Sequence, residues 1–186
     1  MNSLLLLISL IPLVGINVWH SFLLFKRSNV ERPLSISYHA VEANELLLTH
    51  RFVHTSSSFI LIFFAFAFLI PNGHLVAAIL LIAAAIFDVL EVFALHSGDA
   101  AEEMKINSHA VTAWAMALCY LSYATAIIYV VKLNPLFVVA VWLTPAFLIA
   151  IFKLRKFNGF WIAQHAYFCL LALVLIIAHL RLLASL

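Results

Sequence analysis

Asp88 and Glu91 stand inside Ile86-Phe87-Asp88-Val89-Leu90-Glu91-Val92-Phe93, with apolar neighbours on every side. Their i, i+3 spacing puts both carboxyls on one helix face. His50 and His54 lie four residues apart, and Ser57 and Ser58 continue the same face. Such an H-x-x-x-H pair can chelate one metal ion from adjacent turns, although this one lacks the glutamate of H-E-x-x-H. Histidine together with Asp or Glu is the ligand set of zinc, non-haem iron and manganese sites. A metal held in that way can activate water for hydrolysis or oxygen for oxidation. Asp88 or Glu91 could instead act as a desolvated general base.

The elements that must position these groups follow from composition. The chain has 186 residues, of which 66% are apolar and 10% charged, and its nine histidines nearly equal its ten Lys+Arg. Mean hydropathy is +1.14. A soluble domain is about 45–50% apolar and about 25% charged, so so few charges cannot clothe a water-soluble globule of this size. A disordered chain, a disulfide-rich secreted domain and a nucleic-acid binder built on basic patches are excluded with it. Cys119 and Cys169 fall in apolar runs and read as small hydrophobes. The expected fold is all-α, a polytopic integral membrane helical bundle forming one transmembrane domain.

A spanning helix needs about 20 mostly apolar residues, which places candidates near 3–25, 50–71, 74–96, 107–131, 135–153 and 158–183. The breaks carry turn chemistry: Pro71-Asn72-Gly73, Asn134-Pro135 and Asn158-Gly159. Six spans are expected, or five if the fifth is re-entrant. Residues 26–49 form the longest polar stretch, with Pro33 ending the first span and Ala40 to Leu48 rich in helix formers. An amphipathic surface helix merging into the second span is expected there. Lys26, Arg27, Arg32, Arg51, Lys105, Lys153, Arg155 and Lys156 collect on one side of such a bundle, against Lys132 and Arg181 on the other. The Lys/Arg asymmetry makes the first side cytoplasmic and leaves both termini outside. A bacterial inner (plasma) membrane is the expected location.

On that topology seven of the nine histidines and all eight carboxylates belong to the cytoplasmic half. His20, Asp88, Glu91 and His165 share a layer roughly 7–12 Å below the surface at 1.5 Å per residue. His54 and His109 lie slightly shallower. An acidic group in hydrocarbon costs at least about 2.5–3.5 kcal/mol at mid-span, and no Lys or Arg matches the depth of Asp88 or Glu91. A metal site made from His20, His54, Asp88, Glu91, His109 and His165 would relieve that cost. The expected function is a metalloenzyme, hydrolase or oxidase, acting on a hydrophobic or lipid-like substrate, with zinc, iron or manganese as cofactor. Asp88 and Glu91 are its candidate catalytic groups. Membrane lipids and a hydrophobic small molecule are the expected partners, and an oligomer is compatible with the short loops.

The alternative cofactor is haem b. His165 and His179 are separated by 14 residues, which is about 1400° of rotation and roughly 21 Å of rise, so both rings face one way. This spacing is similar to that in the last helix of small bacterial cytochromes of the b561 type, and the similarity covers only this pair. Haem ligation would leave Asp88 and Glu91 without a role. A proton or cation transporter, or a subunit of a larger membrane complex, is the third possibility.

Overall fold

The computed structural model describes residues 2–26, 37, 40, 46–95, 108–143, 146 and 160–185, with only the backbone at 24–26 and 160–163. Among the described residues the protein is all-helical, with no strand. The elements are α1 (Asn2–Lys26), α2 (Leu47–Phe64) continuing into a π-helical turn (Ala65–Leu69), α3 (Leu75–Ala94), α4 (Ser108–Val130), α5 (residues 136–143) and α6 (Phe160–Ala184). Five of them are long and apolar enough to cross a membrane: α1, α2 with its π turn, α3, α4 and α6. The expected fifth span, 135–153, is helical over 136–143 and otherwise lies outside the described residues. The expected surface helix before α2 lies outside them too, apart from residues 37, 40 and 46.

The helix ends are set by the turn residues read from the sequence. Gly73 adopts a positive φ of 79°, the conformation an α-helical C-terminus demands and glycine supplies without a Cβ clash. Asn72 Nδ2 donates to the Phe68 carbonyl at 2.7 Å, capping one of the carbonyls the helix leaves open. Asn134 Oδ1 accepts from the Leu136 amide at 2.9 Å and starts α5 in the same economical way.

Five helices close a ring: α1 packs on α2, α2 on α3, α3 on α4, α4 on α6, and α6 back on α1. The burial pattern shows why. On α2, Phe52, Phe59, Phe63 and Phe66 point outward, while His50, His54, Ser57, Ser58, Leu61 and Phe64 are buried. On α3 the buried stripe is Ala77, Ala78, Leu81, Ala84, Ala85, Asp88 and Glu91, and the four alanines let neighbouring backbones come close, as membrane helices require. α2 and α3 thus turn their buried polar and small residues inward and large apolar side chains outward. The half of the ring away from His20, His50 and His54 is filled by Phe64, Phe68, Leu69, Tyr123, Ile127 and Ile128.

Arg51 ties the site-bearing ends of α2 and α3 together. Its Nε donates to the Val92 carbonyl at 3.1 Å, one Nη donates to the Leu95 carbonyl at 2.9 Å, and its guanidinium lies 5.4 Å from the Phe93 ring centroid. Those carbonyls belong to the open C-terminal turn of α3. Arg51→Met keeps the aliphatic stem but removes both donors. On the order of 1–2 kcal/mol of stability should be lost, seen as a thermal midpoint several degrees lower in detergent.

Candidate metal centre

Three imidazoles meet in the ring interior near the end of the bundle formed by the C-terminus of α1 and the N-terminus of α2. One nitrogen each from His20, His50 and His54 lies within 4.8 Å of the others, and all three residues are buried. His20 Nε2 and His54 Nε2 are 3.2 Å apart. Two ligands on one tetrahedral zinc, at about 2.0–2.1 Å each, stand about 3.3–3.4 Å apart. The group could hold a metal ion. α1 brings His20 from one side. α2 brings His50 and His54 from successive turns, so the pair presents itself on one face.

Asp88 on α3 organises the cluster from behind. Its Oδ1 accepts from His54 Nδ1 at 2.8 Å and its Oδ2 accepts from Ser58 Oγ at 2.8 Å. With both oxygens engaged, Asp88 is placed as an orienting carboxylate. The His54 Nδ1–H bond fixes the tautomer with a lone pair on Nε2, the atom turned toward His20. An imidazole so held by a carboxylate is the usual outer support of a metal-bound histidine.

His50 is held differently. Trp19 Nε1–H donates to His50 Nδ1 at 3.0 Å, so in the neutral ring Nε2 carries the proton. Among the described residues, His50 Nε2 and His20 Nδ1 are buried without a hydrogen-bond partner. A buried polar atom left unpaired costs about 1–3 kcal/mol. Two such atoms in one cluster of imidazoles mark a site prepared for something that binds there.

The remaining sequence candidates form separate groups. Glu91 and His109 pair with each other, His109 Nδ1 lying 3.3 Å from Glu91 Oε1 and 3.3 Å from its carbonyl oxygen, and Ser37 Oγ donates to Glu91 Oε1 at 3.0 Å. His165 Nε2 lies 3.0 Å from Ser21 Oγ and 3.6 Å from Cys169 Sγ, at the α1–α6 seam. His179 lies in the half of the ring away from the three histidines, where Ser9 Oγ is 2.8 Å from its Nδ1, Tyr123 OH is 2.6 Å from its Nε2, and the Phe64 ring is 5.2 Å away. Neither ring nitrogen of His179 is left for an axial bond to iron unless Ser9 or Tyr123 lets go. Tyr123→Phe should therefore cost about 1–3 kcal/mol through the stranded imidazole, and leave metal content at the three-histidine cluster unchanged.

Of the residues placed in the shared layer or slightly shallower, His20, His54 and Asp88 come together, as do Glu91 and His109, and His165 stands apart. His50, paired with His54 by its H-x-x-x-H spacing but outside the six expected ligands, joins the cluster. Tyr120 and Tyr167, which the sequence does not single out, line a cavity of about 70 Å³ beside the cluster together with His20, His54 and Asp88. Comparison of the chain with protein-family models, with curated proteins and with solved structures finds no match in any of the three.

Proposed function

We propose that His20, His50 and His54 bind one zinc ion and that the chain is a membrane-embedded, metal-dependent hydrolase acting on a hydrophobic substrate. The observation that carries this reading is a buried three-imidazole cluster, with its tautomer set by Asp88, at the wall of a largely apolar cavity. Three histidines with one coordination position open are a ligand set of catalytic zinc, whereas non-haem iron oxygenases use two histidines and a carboxylate. The oxygens of Asp88 are committed to His54 and Ser58, which favours the all-histidine set. Zinc in such a site supplies a water acidic enough to act as hydroxide near neutral pH. With the orientation that the Lys/Arg asymmetry indicates, the site belongs to the cytoplasmic leaflet of a bacterial inner membrane and both termini are outside. Glu91 and His109 pair with each other rather than with the three histidines, about one helical turn from Asp88, and form a route for protons toward the surface.

The test uses the protein in lipid vesicles with a radiolabelled acyl lipid pool. Fatty-acid release should disappear with a chelator and return with added zinc. Release that ignores the chelator, or none under any metal, would overturn the hydrolase reading.

Trp19 gives a second check. A ligating nitrogen must present a lone pair, so zinc and the Trp19 N–H compete for His50. Trp19→Phe should tighten zinc binding about three- to tenfold, the equivalent of one neutral hydrogen bond, as measured by competition with a calibrated chelator. Unchanged or weaker affinity would count against His50 as a ligand.

A further inference from the structure

We infer that Tyr123 is a proton-coupled redox residue, a buried phenol that gives an electron to lipid peroxyl radicals in the surrounding bilayer while His179 takes its proton. The site is separate from the three-histidine cluster. Ser9, its member on α1, lies eleven residues before His20, which is about 16 Å of helix rise.

Ser9, His179 and Tyr123 form one hydrogen-bonded chain, and none of the three is more than 1% exposed. Ser9 Oγ stands 2.6 Å from the Leu6 carbonyl oxygen and 2.8 Å from His179 Nδ1, and Tyr123 OH stands 2.6 Å from His179 Nε2. These distances fix the protons. Two oxygens so close need a proton between them, and a serine hydroxyl has one to give. Ser9 therefore donates to Leu6 and accepts from His179 Nδ1–H. The lone pair of the neutral imidazole is then on Nε2, and the Tyr123 hydroxyl donates to it.

A phenol in an apolar interior needs this arrangement in order to lose an electron. Once oxidised it is a very strong acid, and charge left uncompensated there is costly. A base held within about 2.6–3.2 Å takes the proton without rearrangement. The imidazolium that forms keeps both partners: Nδ1–H still donates to Ser9, and Nε2–H donates back to the phenoxyl oxygen. The Phe64 ring, itself stacked on Phe68, has its centroid 5.2 Å from that of His179. That is inside the roughly 6 Å at which an aromatic ring attracts a cation. The other described tyrosines are placed differently. The hydroxyls of Tyr120 and Tyr167 are buried without a hydrogen-bond partner among the described residues, so neither has a base to receive its proton. Tyr129 points outward, 63% exposed.

The oxidant comes from the bilayer, because Tyr123 is enclosed in the apolar core with Phe64, Phe68 and Ile127. Leu118 and Tyr129 mark the outward face of the same helix. A helix with its side chains is about 10–12 Å across, so acyl chains against that face lie within reach of electron tunnelling from Tyr123. One electron passes from Tyr123 to the peroxyl radical, and the hydroxyl proton moves to His179 Nε2. The resulting peroxide anion takes a proton from interfacial water, leaving a lipid hydroperoxide and hydroxide.

The experiment places the full chain in nanodiscs of dilinoleoyl phosphatidylcholine, generates peroxyl radicals with a lipid-soluble azo initiator, and follows freeze-quenched samples by electron paramagnetic resonance. The parent chain should give a tyrosyl signal that narrows when ring-deuterated tyrosine is incorporated. Tyr120→Phe and Tyr167→Phe should keep the signal, and Tyr123→Phe should remove it. His179→Gln retains an acceptor for Tyr123 and a donor for Ser9 but cannot take up the proton. It should slow tyrosyl formation at least about 100-fold, the low end of what a positioned base contributes, and it carries the test if Tyr123→Phe folds poorly. No tyrosyl signal in the parent, a signal that survives Tyr123→Phe, or an unchanged rate in His179→Gln overturns the assignment. Zinc has no redox chemistry, so none of these outcomes bears on the metal centre.

Discussion

His54→Asn should purify without metal from cells in which the parent chain carries close to one zinc. His54 joins the two halves of the centre, its Nδ1–H donating to Asp88 and its Nε2 lying 3.2 Å from His20 Nε2. Asparagine keeps a side-chain N–H near the position of Nδ1, so Asp88 retains a donor, and it has no counterpart to Nε2. The loss of a direct ligand should exceed the 10–100-fold that removal of an outer partner costs, while yield and thermal midpoint stay near those of the parent. His54→Ala makes an instructive contrast. It strands a buried carboxylate whose remaining partner is Ser58, and uncompensated buried charge costs about 3–5 kcal/mol. Low yield is therefore expected of the alanine variant, and only the asparagine variant separates ligation from folding. A His54→Asn protein that holds zinc as the parent does removes His54 from the ligand set.

The second large effect belongs to Asp88→Asn. The carboxylate does two things at once: it accepts from His54 Nδ1 and from Ser58 Oγ, each at 2.8 Å. An amide offers one acceptor oxygen and one N–H donor in the same volume, so one of the two bonds must be surrendered or met by a donor. If the oxygen faces His54 the imidazole keeps its tautomer but loses the polarising negative charge. If the nitrogen faces it, the tautomer is lost. Either way zinc affinity should fall about 10–100-fold, and the Ser58 hydroxyl can rotate to accept from the amide, so stability changes little. Chelator competition measures the fall. Affinity within twofold of the parent would mean that Asp88 does not support a metal-bound His54. Complete loss of metal, as severe as in His54→Asn, would instead make Asp88 a ligand in its own right.

How far the sequence carries this arrangement depends on the kind of information each feature needs. Hydrophobic length and turn residues are local, so the described spans begin and end within a few residues of where Pro71-Asn72-Gly73 and Asn134-Pro135 put them. Depth is also nearly local, because a residue's distance from the end of its helix fixes its height in the bilayer. That is why His20 and Asp88 read as one layer, with His54 slightly shallower, from the sequence. Azimuth is a different matter. His165 has the right height, yet α6 turns it toward Ser21 and its own Cys169 at the α1–α6 seam, and no pattern within α6 says which neighbour it will meet. Tyr120 and Tyr167 are hidden for a related reason. A phenol on an apolar helix reads as a packing residue, and its role depends on whether its hydroxyl finds a partner across the ring. His50 was legible by its spacing, and what the structure adds is that Trp19 holds its Nδ1.

The same geometry explains why the polar groups are tolerated at all. The carboxylates are matched, Asp88 with His54 and Ser58 and Glu91 with His109 and Ser37. Scattered singly over outward faces they would each bear the cost of an intramembrane polar group.

The most direct measurement is elemental analysis of the detergent-purified chain and of His54→Asn, both expressed without supplementation and then equilibrated with the same low concentration of zinc. The account predicts close to one zinc per parent chain and essentially none in the variant. No zinc in the parent after equilibration, or equal zinc in both proteins, would contradict a metal centre at His20, His50 and His54.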